Sequence, residues 1–224
     1  MNFRRTLSAC AALAALLVVP LAAHAGETAS IGVNSGTSGF LGFNVGVPIG
    51  KNLDGRLQFG TVNIATSVSS NDNTYDGNLK VRSLATFIDF HPMGGAFMLT
   101  SGLYNPGLDL TGTAMPSGGF YTINNNPYTA AEVGTLSSEL KWNSLSPYFG
   151  FGFGPIHRRH GLGVGLDLGA AFTASPTVTL TAGGPGAQTD PALKRDLAAE
   201  QQQLDDVKKF NIYPVLNLSL ELTL

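Results

Sequence analysis

Four charged side chains stand out because their neighbours are apolar residues or glycine: Arg56, Asp89, Asp167 and Glu221. Arg56 and Gln58 share a face opposite Leu57 and Phe59. Asp89 shares one with Ala85 and Phe87, opposite Leu84, Ile88 and Phe90. Asp167 and Glu221 fall between alternating leucines. Three carboxylates and one guanidinium on the inner face of a closed sheet can do one of two things. They can pair and fill the interior, since a small barrel is just wide enough for side chains to occupy. Alternatively they line a constriction that favours cations, by the logic of acidic rings in cation channels. Arg56 and Asp89 lie at similar distances from one chain reversal and are expected to meet across that hairpin. Gly42, Gly46, Gly150, Gly152, Gly163 and Gly165 point the same way as these charges and add no side-chain volume, which keeps the constriction reading open.

Other chemistries find little support. His91, His157 and His160, the last two beside Arg158 and Arg159, fall at expected turns and read as solvated. No HExxH motif or paired-histidine spacing suggests a metal, and no nucleophile stands with a base, so neither a catalytic site nor a cofactor is expected. The glycine runs resemble nucleotide loops only superficially, because they alternate with large apolar residues. Tyr75, Phe120, Tyr121 and Tyr128 lie in expected outer loops, where loop packing and interfacial anchoring are expected ahead of a ligand or adhesive surface.

The elements that must position these residues follow from the N-terminus and from period-two patterning. Arg4 and Arg5, the apolar run Ala11 to Val19, and Ala23-His24-Ala25 read as a secretory signal peptide over 1–25, followed by a domain over 26–224. Leu7-Ser8-Ala9-Cys10 precedes the apolar run and is not read as a lipidation site. Cleavage removes Cys10, the only cysteine. It also takes Arg4 and Arg5 from the 13 basic residues, leaving 11 against 15 acidic ones, which gives no reason to expect a nucleic-acid partner. Only 12% of residues are charged, about half the usual share, which suits a protein with a lipid-facing exterior.

Leucines at 216, 218, 220, 222 and 224 alternate with Asn217, Ser219, Glu221 and Thr223 at the C-terminus, giving one apolar and one polar face. The same pattern recurs around Phe43, Phe151 and Leu166. Strands are expected over 29–36, 39–48, 55–69, 79–91, 95–112, 135–153, 161–182 and 210–224. Short connections near Lys51, Pro92 and Pro155 to His160 alternate with longer ones over 70–78, 113–134 and 183–209. That is the arrangement of an eight-stranded antiparallel up-and-down transmembrane barrel, an all-β fold with both termini in the periplasm. The count depends on a tight first hairpin at residues 35–39. A helix is expected in the last long loop, with Asp190 as N-cap, Pro191 first, and Leu193, Leu197, Leu204 and Val207 along one stripe, ending near Lys208 and Lys209.

The run Leu145 to Gly152, with Gly165 to Ala170 and Ser175 to Val178, resembles the small exported outer-membrane proteins of proteobacteria. Within these it is similar to the carbapenem-associated outer-membrane channel family. Leu224 departs from the aromatic residue that usually ends such barrels. The resemblance implies a Gram-negative outer-membrane location, surroundings of lipid and lipopolysaccharide, and insertion by the barrel-assembly machinery. It also implies uptake of small basic solutes, although no motif carries that residue by residue. The resulting expectation is a monomeric, narrow, weakly cation-preferring channel. A non-conducting structural or surface-binding outer-membrane protein is the alternative.

Overall fold

A computed structural model describes residues 29–70, 73–116, 119–155, 160–203 and 211–224. The expected signal peptide, His157, Arg158, Arg159, Leu204, Val207, Lys208 and Lys209 lie outside them. Strands β1 (Ser30–Gly36) and β2 (Gly39–Gly50) form the tight first hairpin that the sequence required, with Gly36 opposite Gly39 across Thr37 and Ser38. A Cβ on Gly36 would run into the Leu216 carbonyl, and one on Gly39 into the Thr61 amide, so glycine lets this turn press against its neighbours.

Strands β3 (Leu53–Ser70) and β4 (Asn73–Phe90) pair over their whole length, from Leu53 opposite Phe90 to Ser70 opposite Asn73. The loop expected over 70–78 is therefore mostly strand. Asp76 and Asn78 fall on the outer rows of this sheet, so the segment has the composition of a loop without being one. The chain continues through β5 (Phe97–Asn105), β6 (Leu108–Pro116), the hairpin β7 (Phe120–Ile123) and β8 (Asn126–Thr129), and α1 (Ala130–Val133). Then come β9 (Leu136–Trp142), β10 (Ser146–Phe153), β11 (Gly161–Phe172), β12 (Thr177–Ala182), α2 (Gly186–Thr189), α3 (Pro191–Gln203) and β13 (Ile212–Thr223). Three spans expected to be continuous are thus broken, at Pro106-Gly107, at 143–145 and at 173–176. Proline and a left-handed Gly107 (φ 53°) explain the first break.

The pairings close on themselves. They run β1–β2–β3–β4–β5–β10–β11–β13 and back to β1, all antiparallel. The seam beside the termini is set by the C-terminal ladder: Ser30 opposes Thr223, and Gly36 opposes Asn217. Along β13 burial alternates without a fault. Leu216, Leu218, Leu220 and Leu222 are exposed on the outside, while Asn217, Ser219, Glu221 and Thr223 are buried inside. Phe43, Leu84, Ile88, Leu99, Phe149 and Phe151 extend the same apolar exterior around the ring.

Above this ring, β3 and β4 continue and are joined by β6, β9 and β12 in a sheet ordered β3-β4-β6-β9-β12. Here the sense of the two faces reverses. One transverse row on the inner face reads Val62, Val81, Leu108, Trp142, and the next reads Ile64, Leu79, Leu110, Leu140, Val178. The outer rows read Asn63, Lys80, Asp109, Lys141, Thr177 and Ala65, Asn78, Thr111, Glu139, Thr179. Below the level of Arg82 the exterior is apolar, and the interior holds the charged and polar side chains together with a buried aromatic cluster. Above it, the outer face is polar and the opposite face apolar, with Val81 and Val178 buried but Ile64 and Leu110 exposed.

The helix expected in the last loop is present as α3. Asp190 Oδ1 accepts from the Ala192 amide at 2.8 Å as the expected cap. Leu193 is buried with Tyr121, Ile123 and Val133, and Leu197 packs on that cluster. Asp196 fixes the helix to the β7–β8 turn. It accepts from Tyr128 Oη at 2.6 Å and Asn126 Nδ2 at 2.7 Å, and the Tyr128 bond is the main cause that lowers its carboxyl to about 2. Of the outer-loop aromatics, Tyr121 is buried, with its hydroxyl beside the Ala114 and Gly134 carbonyls, and Phe120 is exposed.

Candidate functional site

Arg56, Asp89 and Asp167 form one fully buried cluster in the barrel interior, with relative exposures of 4%, 1% and 3%. In register Arg56 stands opposite Phe87, and it reaches diagonally to Asp89. Nε lies 2.7 Å from Asp89 Oδ2 and Nη2 lies 3.1 Å from Oδ1, a two-point contact. The other edge of the guanidinium takes Asp167 the same way, with Nη1 2.7 Å from Oδ2 and Nη2 2.9 Å from Oδ1. Planar forks matched to carboxylates are the strongest form of ion pair. Thr100 Oγ1 donates to Asp89 Oδ1 at 2.6 Å, Arg56 Nη1 donates to Gln58 Oε1 at 3.4 Å, and the Phe87 ring lies 5.0 Å from the guanidinium carbon.

The cluster crosses the barrel. Arg56 is on β3 and Asp167 on β11, and these strands are equally far apart by either route around the ring (β3–β4–β5–β10–β11 or β3–β2–β1–β13–β11). Period-two patterning placed both residues inside. It carried no information about the register that brings the opposite wall within bonding reach.

Glu221 also points inward but belongs to a second network. Its Oε1 accepts from Asn44 Nδ2 at 2.8 Å and from Ser219 Oγ at 2.9 Å, and its Oε2 from Ser30 Oγ at 3.4 Å. These three donors are neutral, whereas the guanidinium is shared between Asp89 and Asp167.

An aromatic layer stacks beside Phe87, and the period-two pattern carries no signal for it. Tyr104, Tyr148 and Phe87 are among the largest fully buried side chains. Phe87 lies 4.7 Å from Tyr148, Tyr104 lies 5.8 Å from Tyr213, and Trp142 meets Tyr213 edge-on at 5.2 Å, all between ring centroids. The β1–β2 turn reaches into this layer. Ser38 Oγ accepts from Tyr104 Oη at 3.0 Å and from Asn217 Nδ2 at 2.8 Å, while its carbonyl accepts from Ser83 Oγ at 2.5 Å. Nothing in the residues around Ser38 signals this, because the contacts join strands far apart in the chain.

The interior glycines leave less room than their number suggested. A Cβ on Gly150 or Gly169 would meet the Tyr148 hydroxyl, on Gly163 the Pro155 ring, on Gly165 the Ser219 hydroxyl, and on Gly42 the Asn34 side chain. Their space is already taken by neighbouring side chains.

His91 departs from the solvated turn expected of it. It is 3% exposed, with Nε2 3.0 Å from Asp54 Oδ2 and Nδ1 2.8 Å from the Gly95 carbonyl. The turn after β4 folds the ring back onto β3, because His91 follows directly on β4, whose last residue, Phe90, pairs with Leu53. Its amide then donates to the Asn52 carbonyl at 2.9 Å. Both ring nitrogens face acceptors, which suits the doubly protonated imidazolium. The close Asp54 carboxylate accordingly raises the His91 pKa above the usual histidine value, with burial opposing it. A raised pKa stabilises the folded turn fully below the unfolded histidine's value and loses that contribution as pH climbs through the folded one. Amide exchange at Gly94, whose N–H donates to the His91 carbonyl at 3.0 Å, should therefore quicken as pH rises past neutrality, after correction for intrinsic exchange. His91→Gln should abolish that dependence, and an equal response in the variant would remove the histidine from the explanation. His160 is exposed, as expected.

A closed antiparallel barrel with an apolar exterior, and with its charged and polar residues packed inside beside an aromatic layer, has the outer-membrane β-barrel fold. Solved structures agree. The chain superposes on CarO of Acinetobacter baumannii with a TM-score of 0.55 at 21% identity, covering 88% of this chain and 97% of that one. It superposes on CarO2 of the same organism with a TM-score of 0.59 at 18% identity, covering 88% and 99%. A looser match, with a TM-score of 0.45 at 16% identity and coverage of 88% and 99%, is to a major outer membrane protein from Thermus thermophilus. No family model and no curated protein sequence matches the chain.

Proposed function

We propose that this protein is a monomeric, eight-stranded barrel of the Gram-negative outer membrane, closed at rest by the Arg56 cluster and carrying a cup on the extracellular side. The observation that carries the location is the reversal of the two faces near Arg82. An apolar exterior suits hydrocarbon, and an apolar interior under a charged exterior suits water, so the boundary between them marks the outer membrane surface. The similarity in fold to CarO supports the same location.

Closure follows from the cross-barrel fork of Arg56 and the aromatic layer beside it. The network retains a carboxylate bias, since Asp89 and Asp167 share one guanidinium. Whatever passes when the cluster opens is therefore a small cation. Purified protein in planar bilayers should be silent or show rare, small, cation-selective steps, altered by Asp89→Asn or Glu221→Gln. Sustained anion-selective conductance from the unaltered protein would overturn the proposal.

The membrane assignment has its own test. Leu218→Arg places a charge on the apolar exterior and should cost about 2–4 kcal/mol if that position lies near the bilayer midplane. Thr179→Arg, on the polar outer face of the cup, should cost almost nothing. Unfolding in lipid vesicles, read from the heat-dependent gel shift, separates the two. Equal effects would argue against a lipid boundary between them.

A further inference from the structure

We infer that the turn between β1 and β2 is the gate of the barrel on the side of the cup, hinged at Gly36 and Gly39 and latched across the mouth by hydrogen bonds alone. It stands in series with the Arg56 cluster, and the inference rests on the reading of that cluster as the plug beneath it.

The turn is not folded as a two-residue hairpin turn normally is. The favoured turns place positive φ within their two central residues. The β7–β8 hairpin does so at Asn124 (φ 50°) and Asn125 (φ 63°). In β1–β2 the central residues are Thr37 and Ser38, neither of which has positive φ. The positive values fall on the flanking glycines instead, Gly36 at 157° and Gly39 at 142°. Side chains rarely adopt such a backbone, whereas glycine takes it without steric cost. The β1–β2 register also slips between Asn34 and Gly36, a bulge that bends the end of the strand. The turn therefore leaves the line of its own strands and folds over the lumen.

It reaches the far wall. Besides the contacts of Ser38 with Tyr104, Asn217 and Ser83 given above, the Ser38 amide donates to Asn217 Oδ1 at 3.3 Å. The Thr37 amide donates to the Leu216 carbonyl at 2.9 Å, and the Thr37 carbonyl accepts from Tyr213 Oη at 2.8 Å. These partners stand on β4, β5 and β13, and β5 lies directly across the ring from β1. Ser38 is 0% exposed while Thr37 beside it is exposed. The turn itself is thus the boundary between the cup and the packed aromatic layer.

The latch is of a kind that releases. Neither Thr37 nor Ser38 inserts a large apolar side chain, so opening withdraws no hydrophobic anchor. Each freed partner, the Tyr104, Tyr213 and Ser83 hydroxyls and the Asn217 amide, can bond to water in an opened mouth. An internal hydrogen bond that water replaces contributes only modestly to stability. Rotation at the two glycines lifts the turn and leaves the β1–β2 pairs from Ser30 to Asn34 in place.

The test places a thiol at the latch, Ser38→Cys, in a chain freed of its native thiol by Cys10→Ser. The probe is a cationic methanethiosulfonate reagent, with its reaction followed by mass spectrometry on the barrel in lipid vesicles. Reaction should be slow, far slower than at Thr37→Cys, and should quicken several-fold when Ser83→Ala or Tyr213→Phe removes one latch bond. With Arg56→Met added, reaction should raise the conducting fraction in planar bilayers, because the tethered cation cannot return beneath Tyr104. Amide exchange at Thr37 and Ser38, with and without Ser83→Ala, repeats the test if Ser38→Cys does not fold. A thiol that never reacts, or that ignores both latch variants, would make the turn a fixed part of the wall and overturn the inference. Reaction as fast as at Thr37→Cys would show that the turn is not folded in. Arg56→Met channels unchanged by reaction would overturn the gate and leave the plug standing. Normal reaction with no conductance in any variant would overturn the plug reading itself.

Discussion

Arg56→Met is expected to be the most damaging single substitution in the barrel, and the one that opens it. The guanidinium now makes two-point contacts with both Asp89 and Asp167 in a fully buried setting. Methionine keeps much of the volume and removes every charge-assisted bond. Two carboxylates from opposite walls are left facing each other without a cation. Removing one partner of a buried ion pair costs about 3–5 kcal/mol, because the remaining charge is stranded. The effect should appear in vesicle unfolding as a lower denaturant midpoint. In planar bilayers, the vacated crossing between two carboxylates should give sustained cation-selective conductance, well above the rare, small steps expected of the parent. Replacing all three residues together, with Asp89→Leu and Asp167→Leu added, should recover most of the stability and abolish the selectivity, since the cluster then holds no buried charge. If Arg56→Met were as stable and as silent as the parent, the cluster would be neither the plug nor a principal support.

Tyr104→Ala should cost a comparable amount of stability, about 3–5 kcal/mol by analogy with other large aromatic truncations, yet leave the barrel closed. Tyr104 is 0% exposed, packs with Phe87, Tyr148 and Tyr213, and donates to Ser38. Its loss leaves a cavity and strands the inward turn of the first hairpin. The Arg56 cluster is a separate crossing and remains intact. Conductance should therefore appear with Arg56→Met and not with Tyr104→Ala alone, and the double variant should exceed Arg56→Met. Unfolding midpoints and single-channel records on the two single variants and the double variant decide it. If Tyr104→Ala conducted by itself, the aromatic layer would be the main barrier and the ion-paired cluster secondary.

Much of this molecule could be read from residue order. Strict alternation in Leu216 to Leu224 determined which side chains face out, because a strand has two faces and only one can meet an apolar surrounding. The same rule placed Arg56, Asp89, Asp167 and Glu221 inside, and the N-capping Asp190 placed the last helix. The tight first hairpin followed from the need to return both termini to one side. Polar strands in the upper part of β4 and β6 were hidden, because a strand with water on its outer face carries the composition of a loop.

What alternation cannot supply is register across the closed ring. Face is a local property with a period of two residues, whereas partnership depends on how far each strand is shifted against its neighbour and on where the ring closes. Tertiary structure alone therefore joined Asp167 to Arg56 from the opposite wall and gave Glu221 to Asn44 instead. It folded Ser38 under Tyr104 and buried His91 on Asp54. The sequence determined that these residues face inward; the shift between strands decided which of them meet.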